Sequence, residues 1–191
     1  MPEPYEKSAM TGTADDLDFT SMLDPGAPVM QPAPRTAQIE SEATIGAGHL
    51  KREGFHVVVA RRRHAAPGAA GRVLIVEDDD DTASLAARAL QKGGYGTSRA
   101  VSAKETAHLL ATLGLPALIL LDVELPGLNG FEMLARLRAH PKLGHIPVVM
   151  FTARSSSEDV VRGLTLGADG YVAKPVSPAR LLEAVAMVLG R

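Results

Sequence analysis

Ala117-Leu-Ile-Leu-Leu-Asp-Val-Glu-Leu-Pro-Gly-Leu-Asn-Gly130 sets the frame for the whole chain. The apolar run Leu118 to Leu121 stops at Asp122, the turn formers Pro126, Gly127 and Gly130 follow, and a helical pattern begins. This reads as a buried strand that delivers one carboxylate to its C-terminal end, where a loop opens to solvent. A carboxylate in that place is costly unless a cation or another partner satisfies it. In open α/β sheets, ligands sit beyond the carboxyl ends of the strands.

The same pattern recurs on both sides. Val73-Leu-Ile-Val76 is a continuous apolar run ending in Glu77-Asp78-Asp79-Asp80-Asp81. A helix is expected from there to about Lys92, closed by Gly93-Gly94, and residues 95 to 101 form a weaker second strand. Ser102-Ala-Lys-Glu105 is a capping box, starting a helix that runs to about Leu113. After the strand to Asp122, Phe131 to His140 reads as a helix and Pro147 to Phe151 as a buried strand ending at Thr152. Ser155 to Ser157 introduce an amphipathic helix with Val160, Val161 and Leu164, stopped near Gly167. Gly170 to Ala173 is a short fifth strand ending at Lys174-Pro175. Ser177 and Pro178 then start a last helix with Leu181, Leu182, Val185 and Val188 inward. Strand and helix alternate five times, which implies an α/β, doubly wound parallel sheet with helices on both faces.

The rest of the chain is different. Residues 1 to 48 carry Pro2, Pro4, Pro25, Pro28, Pro32 and Pro34, show no sustained periodicity, and lean acidic at the start. They read as a disordered tail, with Leu17, Phe19, Met22 and Leu23 as a minor docking motif. Residues 49 to 60 include the apolar run Phe55 to Ala60, a short element between Lys51-Arg52 and Arg61-Arg62-Arg63. Ala65 to Gly71 reads as a linker, so the organisation is an extension over 1 to 70 and a domain over 71 to 191. Leu50-Lys-Arg-Glu-Gly-Phe and Leu90-Gln-Lys-Gly-Gly-Tyr, forty positions apart, share a helix-end-then-strand look without making a repeat array.

Composition narrows the class of protein. The 191 residues are 46% hydrophobic with aromatics at 4% and no Trp, so the core is aliphatic. There is no Cys, which excludes disulfides and Cys-based zinc. A net charge of -2 gives no support for a whole-protein nucleic-acid surface. With neither a membrane-length apolar run nor a secretory start, a cytoplasmic protein is expected.

The strand ends can be compared as chemistry. The first offers Glu77 and Asp78, the third Asp122, the fourth Thr152 and the fifth Lys174. In a parallel sheet these groups share one edge. Clustered carboxylates stay ionised with a cation among them, and oxygen ligands suit Mg²⁺. A lysine and a hydroxyl opposite such an ion suit a phosphoryl group, and a carboxylate is itself a competent acceptor.

Residues 72 to 191 resemble the receiver domain of two-component response regulators. The likeness rests on Val73-Leu-Ile-Val-Glu-Asp78, Leu121-Asp-Val-Glu-Leu-Pro-Gly-Leu-Asn-Gly130, Val148-Val-Met-Phe-Thr-Ala153 and Gly167-Ala-Asp-Gly-Tyr-Val-Ala-Lys-Pro175, in the family's order and spacing. The resemblance implies a flavodoxin-like (βα)5 fold with strand order 2-1-3-4-5. It casts Asp122 as the phosphoacceptor. Glu77, Asp78, Asp122 and the backbone carbonyl of Glu124 become Mg²⁺ ligands. Thr152 and Lys174 become the groups that gather to the phosphoryl oxygens, Tyr171 the aromatic that turns inward with the threonine, and the bond to Pro175 a cis peptide. Glu124 and Arg154 fall at variable positions beside the site.

The resemblance also implies partners: a histidine kinase or phosphotransfer protein as donor, and a downstream effector protein that reads the surface of the last two helices and the strand between them. It leaves open a homodimer through that face on phosphorylation. A stand-alone bacterial regulator without direct nucleic-acid or membrane contact is the resulting expectation, and a phosphorylation-independent docking module is its alternative. A haloacid-dehalogenase-like phosphatase is disfavoured because the acid pair precedes Asp122. A DNA reader built on Arg61 to Arg63 is disfavoured by the acid-leaning extension. Asp79, Asp80 and Asp81 read as helix N-terminal residues rather than ligands, and His108, His140 and His145 as surface residues.

Overall fold

A computed structural model of the chain describes residues 36–58 and 71–191. The expected docking motif at Leu17 to Leu23, the basic triplet Arg61 to Arg63 and the linker from Ala65 to Ala70 lie outside the described residues, as does the expected disorder of residues 1–35. In chain order the elements are α1 (Ala37–Glu53), β1 (Phe55–Val57), β2 (Arg72–Val76), α2 (Asp80–Lys92), β3 (Gly96–Ala100), α3 (Ala103–Leu113), β4 (Leu118–Leu121), α4 (Gly130–Ala139), β5 (Val148–Thr152), α5 (Ser157–Thr165), β6 (Gly170–Ala173) and α6 (Pro178–Val188).

Five strands are parallel, and their spatial order is β3-β2-β4-β5-β6. Numbered from β2, this is the 2-1-3-4-5 arrangement implied by the resemblance. The central strands β2, β4 and β5 are aliphatic and buried on both faces, as parallel strands under crossover helices must be. Alternation divides the core in two. Leu74, Val76, Ile119, Leu121, Val148 and Met150 face α3, α4 and α5. Val73, Ile75, Leu118, Leu120, Val149 and Phe151 face α2 and α6.

Local chemistry sets the helix starts. Asp79 caps α2, its carboxylate accepting from the Thr82 amide at 2.8 Å, with Asp80 and Asp81 in the first turn where they complement the dipole. Ser102 caps α3 by accepting from Glu105 N at 3.3 Å. The returning Glu105 carboxylate accepts from Val101 N at 2.9 Å, one residue earlier than a standard capping box would have it. Asn129, Ser156 and Ser177 cap α4, α5 and α6.

The sheet has a sixth strand, and this corrects the reading of the extension. Residues 37–48, read from sequence as part of a disordered tail, are helical, and the short element expected over 49 to 60 divides into the end of α1 and β1. β1 pairs antiparallel with β6, with Phe55 opposite Val172, His56 opposite Tyr171 and Val57 opposite Gly170. Gly54 takes the left-handed conformation (φ 81°) that ends α1 and turns the chain into β1. α1 lies against α5, and Ala43, Leu50 and Val58 join the core on that face.

The sheet end opposite the acidic residues is held by a buried ion pair that the sequence reading did not single out. Arg138 Nη2 donates to Asp169 Oδ2 at 2.7 Å, and Arg138 also reaches the carbonyls of Gly167 and Ile146, each at 2.9 Å. Asp169 Oδ2 accepts as well from Val148 N at 2.9 Å. These bonds fix the starts of β5 and β6 relative to α4. Removing one member of a buried pair leaves the other charge unanswered. Asp169→Ala is expected to cost about 3–5 kcal/mol in urea denaturation, far more than the surface substitution Asp81→Ala.

Candidate functional site

The parallel topology brings the predicted residues together beyond the carboxyl ends of β2, β4, β5 and β6. Glu77 (1% exposed) and Asp122 (5% exposed) are buried, while Asp78 is exposed. One carboxylate oxygen from each of these three lies within 4.8 Å of the others. Lys174 crosses to them from the end of β6. Its ammonium sits 2.5 Å from Glu77 Oε2 and 3.1 Å from Asp122 Oδ2, and 4.9 Å from the centre of the Phe151 ring. Asp122 Oδ1 accepts from the Val123 amide at 2.6 Å.

Backbone geometry presents these groups. Asp122 N donates to Val76 O at 3.0 Å and Lys174 N to Thr152 O at 2.9 Å, so the strand ends remain laddered up to the pocket. The Lys174–Pro175 peptide is cis. Gly130 N donates to Val123 O at 2.9 Å. A Cβ at Gly130 would fall 2.0 Å from the Asp122 carbonyl oxygen. Glycine here is therefore a packing requirement of the loop that carries Asp122.

Thr152 is fully buried at the end of β5, and its hydroxyl accepts from Arg154 N at 3.2 Å. At the mouth, Arg154 Nε and Glu124 Oε1 stand 3.2 Å apart, both well exposed, an ion pair that water and salt largely screen. Tyr171 is buried under α5, so close to Gly163 that a Cβ there would meet Tyr171 Cε2 at 2.8 Å. Its hydroxyl is buried with no hydrogen-bond partner among the described residues. Burial pushes the Tyr171 pKa far up, so the phenol is neutral.

Arg99 is the contributor that the sequence reading missed. It lies in β3 opposite Ile75, donates from Nε to Glu77 O at 3.0 Å and from Nη2 to Asp78 O at 2.8 Å, and pairs with Asp80. It thus fixes the turn that aims Glu77 and Asp78. Its signal was a single arginine in a weak strand expected beside the acid-tipped one.

The electrostatics favour a cation. Burial raises the Glu77 pKa above the ordinary carboxylate value. The hydrogen bond and charge of Lys174 oppose that rise, and Asp122 adds to it. The three oxygen donors, one of them open to solvent, fit a hard divalent ion such as Mg²⁺ in chemistry and in spacing.

Comparison with known proteins agrees with this geometry. Residues 73–186 match the model of the response regulator receiver domain. The chain belongs to the response regulator receiver family. It is similar to a response regulator from Chloroflexus aurantiacus, with 35% identity and a TM-score of 0.60 over 63% of this chain and 98% of that one. It is also similar to the chemotaxis response regulator CheY4 of Vibrio cholerae, with 30% identity and a TM-score of 0.57 over 62% of this chain and 98% of that one. Among curated proteins, the phosphate regulon transcriptional regulatory protein PhoB of Pseudomonas aeruginosa is 37% identical over 107 residues, 56% of this chain and 46% of that protein. PhoB of Rhizobium meliloti is 46% identical over 77 residues, 40% of this chain and 34% of that protein. The match spans a third to a half of the length of these relatives. Receiver domains are signalling phosphoacceptors of two-component systems. They bind Mg²⁺ at an acidic pocket and interact with histidine kinases and effectors. Among the described residues, no helix is long and apolar enough to cross a membrane.

Glu77 yields a test with a definite sign. Its folded pKa is raised, so its contribution to stability is present below the unfolded pKa and is lost as pH rises through the folded one. In EDTA at pH 7.5, Glu77→Gln is expected to melt above the wild type, and the gap closes as the pH is lowered through the Glu77 pKa. Mg²⁺ is expected to raise the wild-type midpoint and to move the variant much less. Differential scanning fluorimetry across pH reads both effects.

Proposed function

We propose that this receiver accepts a phosphoryl group on the Asp122 carboxylate, from a phosphohistidine of a sensor kinase or phosphotransfer protein. The observation that carries this reading is the Lys174 ammonium between Glu77 and Asp122 at the mouth of a three-carboxylate cluster. An Asp122 oxygen forms the new bond to phosphorus while the phosphorus–nitrogen bond of the donor breaks, and the departing imidazole takes up a proton. Glu77, Asp78, Asp122 and the Glu124 carbonyl would hold Mg²⁺, which when bound would neutralise charge on the transferring group.

The chain's own groups do the rest. Lys174 is already at the acceptor oxygen, so its charge is in place before the phosphoryl group arrives, which is what electrostatic stabilisation requires. Val123 N orients the carboxylate through Oδ1. Thr152 exchanges its bond from Arg154 N for one to a phosphoryl oxygen, which pulls on the 153–156 loop and on the cap of α5. Tyr171, neutral and inward, follows that movement. The altered α5–β6–α6 surface is then read by an effector protein. The PhoB relatives, of which the match covers less than half, are transcriptional regulatory proteins, and transcriptional regulation is one pathway for that effector step.

Incubation with acetyl phosphate, read by intact mass, tests the chemistry. Wild type is expected to gain a phosphoryl-sized mass with Mg²⁺ and none in EDTA. Asp122→Asn is expected to gain none in either condition. Lys174→Ala is expected to slow the gain by about a hundredfold, the scale for loss of one positioned charge on a transferring group. A gain in Asp122→Asn equal to wild type, or no gain in folded wild type, would favour the docking-module reading.

A further inference from the structure

The surface that a receiver of this kind presents to its effector is already occupied here, by the chain itself. β1 covers the open edge of β6, with Val58 N donating to Asp169 O at 3.0 Å and Ala173 N to Gly54 O at 2.8 Å. α1 lies along α5. On the α6 side, Arg180 Nη2 and Glu53 Oε2 stand 2.5 Å apart, and the same guanidinium lies 5.9 Å from the centre of the Phe55 ring. One helix and one strand therefore reach all three elements of the face. A partner cannot add a strand to β6 or seat a helix on α5 while they remain.

The mask is fastened at its centre by a polar cluster. His56 is buried and stands opposite Tyr171. Its Nε2 meets Glu42 Oε1 at 2.8 Å, and its Nδ1 meets His49 Nδ1 at 3.1 Å. The ring fits under Gly46, where a Cβ would stand 2.8 Å from His56 Cδ2. Around it the apolar hold is uneven: Phe55 and Val57 of β1, with Val58, are buried in the core. The fully buried positions of α1 are Ala43, Gly46, Ala47 and Leu50, three of them small. A helix held mainly through small residues and a polar cluster is the part of this unit best placed to open locally.

β6 joins this mask to the pocket. It carries Lys174 directly after Ala173, and Ala173 N is bonded to Gly54 O while Lys174 N is bonded to Thr152 O. Tyr171, in the middle of β6, has a buried hydroxyl without a partner among the described residues, a costly arrangement. A change that gathers Thr152 and Lys174 to a ligand therefore moves the strand on which β1 rides.

We propose that the α1–β1 unit is a cis-acting mask of the α5–β6–α6 docking surface, displaced when Asp122 is phosphorylated. This rests on the phosphoacceptor reading of Asp122. It adds a level of control to that reading, because exposure of the surface then depends on phosphorylation as well as its shape.

Amide hydrogen exchange of the full chain, read by mass spectrometry with acetyl phosphate and Mg²⁺, tests the mask, and intact mass reports phosphoryl occupancy in parallel. On phosphorylation, peptides covering residues 43–58 and 170–173 are expected to exchange about tenfold faster, within the usual range of coupling between sites. Peptides from β2 and β4 are expected to hold their protection, and Asp122→Asn to show no change. Gly46→Leu, which wedges α1 off His56, is expected to give the faster exchange without any donor, again with β2 and β4 protected. Occupied Asp122 with unchanged exchange at 43–58 overturns the mask and leaves the phosphoacceptor reading standing. Absence of the mass gain in folded wild type removes that reading and this inference together. Loss of protection throughout the Gly46→Leu chain overturns the mask, because α1–β1 would then be inseparable from the core.

Discussion

The Lys174 ammonium is the contact on which the arrangement of the site depends. It stands between Glu77 at the end of β2 and Asp122 at the end of β4, and it arrives from the end of β6. One cation therefore ties together three strand ends. Without it, two buried carboxylates would face each other at the strand ends, an arrangement that burial and like charge both oppose. The pair is held beside an open acid, Asp78, and beneath the Arg99 brace. The pocket is thus built on counter-charge, which explains why its residues come from four different strands.

Much of this was legible in the sequence, for a specific reason. Each of β2, β4, β5 and β6 is a short apolar run that ends at or just before one polar residue, and the structure brings those residues together: Glu77, Asp122, Thr152 and Lys174. Parallel topology then places all strand ends on one side, so the site follows from the fold. The helix starts were equally visible, since Ser102 and Ser177 cap where the pattern placed them. The family resemblance supplied the strand order, which no run of apolar residues encodes.

The parts that were not legible share a physical character. α1 buries Ala43, Gly46, Ala47 and Leu50, mostly small residues that make only a faint apolar stripe, and glycines at 46 and 48 lower its intrinsic helicity. Tertiary packing against α5 and the His56 ring makes it a helix, and such packing is invisible to a periodicity count. Arg99 and Arg138 act by reaching carbonyls far along the chain, in contacts 22 and 29 residues away. The echo between Leu50 to Phe55 and Leu90 to Tyr95 turns out to be geometric: each closes a helix with a glycine turn and opens an outermost strand of the sheet, β1 on one side and β3 on the other.

That outermost position of β1 bears on how the protein behaves in concentrated solution. A strand edge with free amides and carbonyls is a template for another chain, and folds blunt such edges by making the terminal strand short. β1 is three residues long, whereas β6 beneath it is four, with Tyr171 and Val172 at its centre. The extension therefore acts as an edge guard. A chain trimmed to begin at Gly71 would bare β6, and self-association by strand pairing is the behaviour such an edge invites.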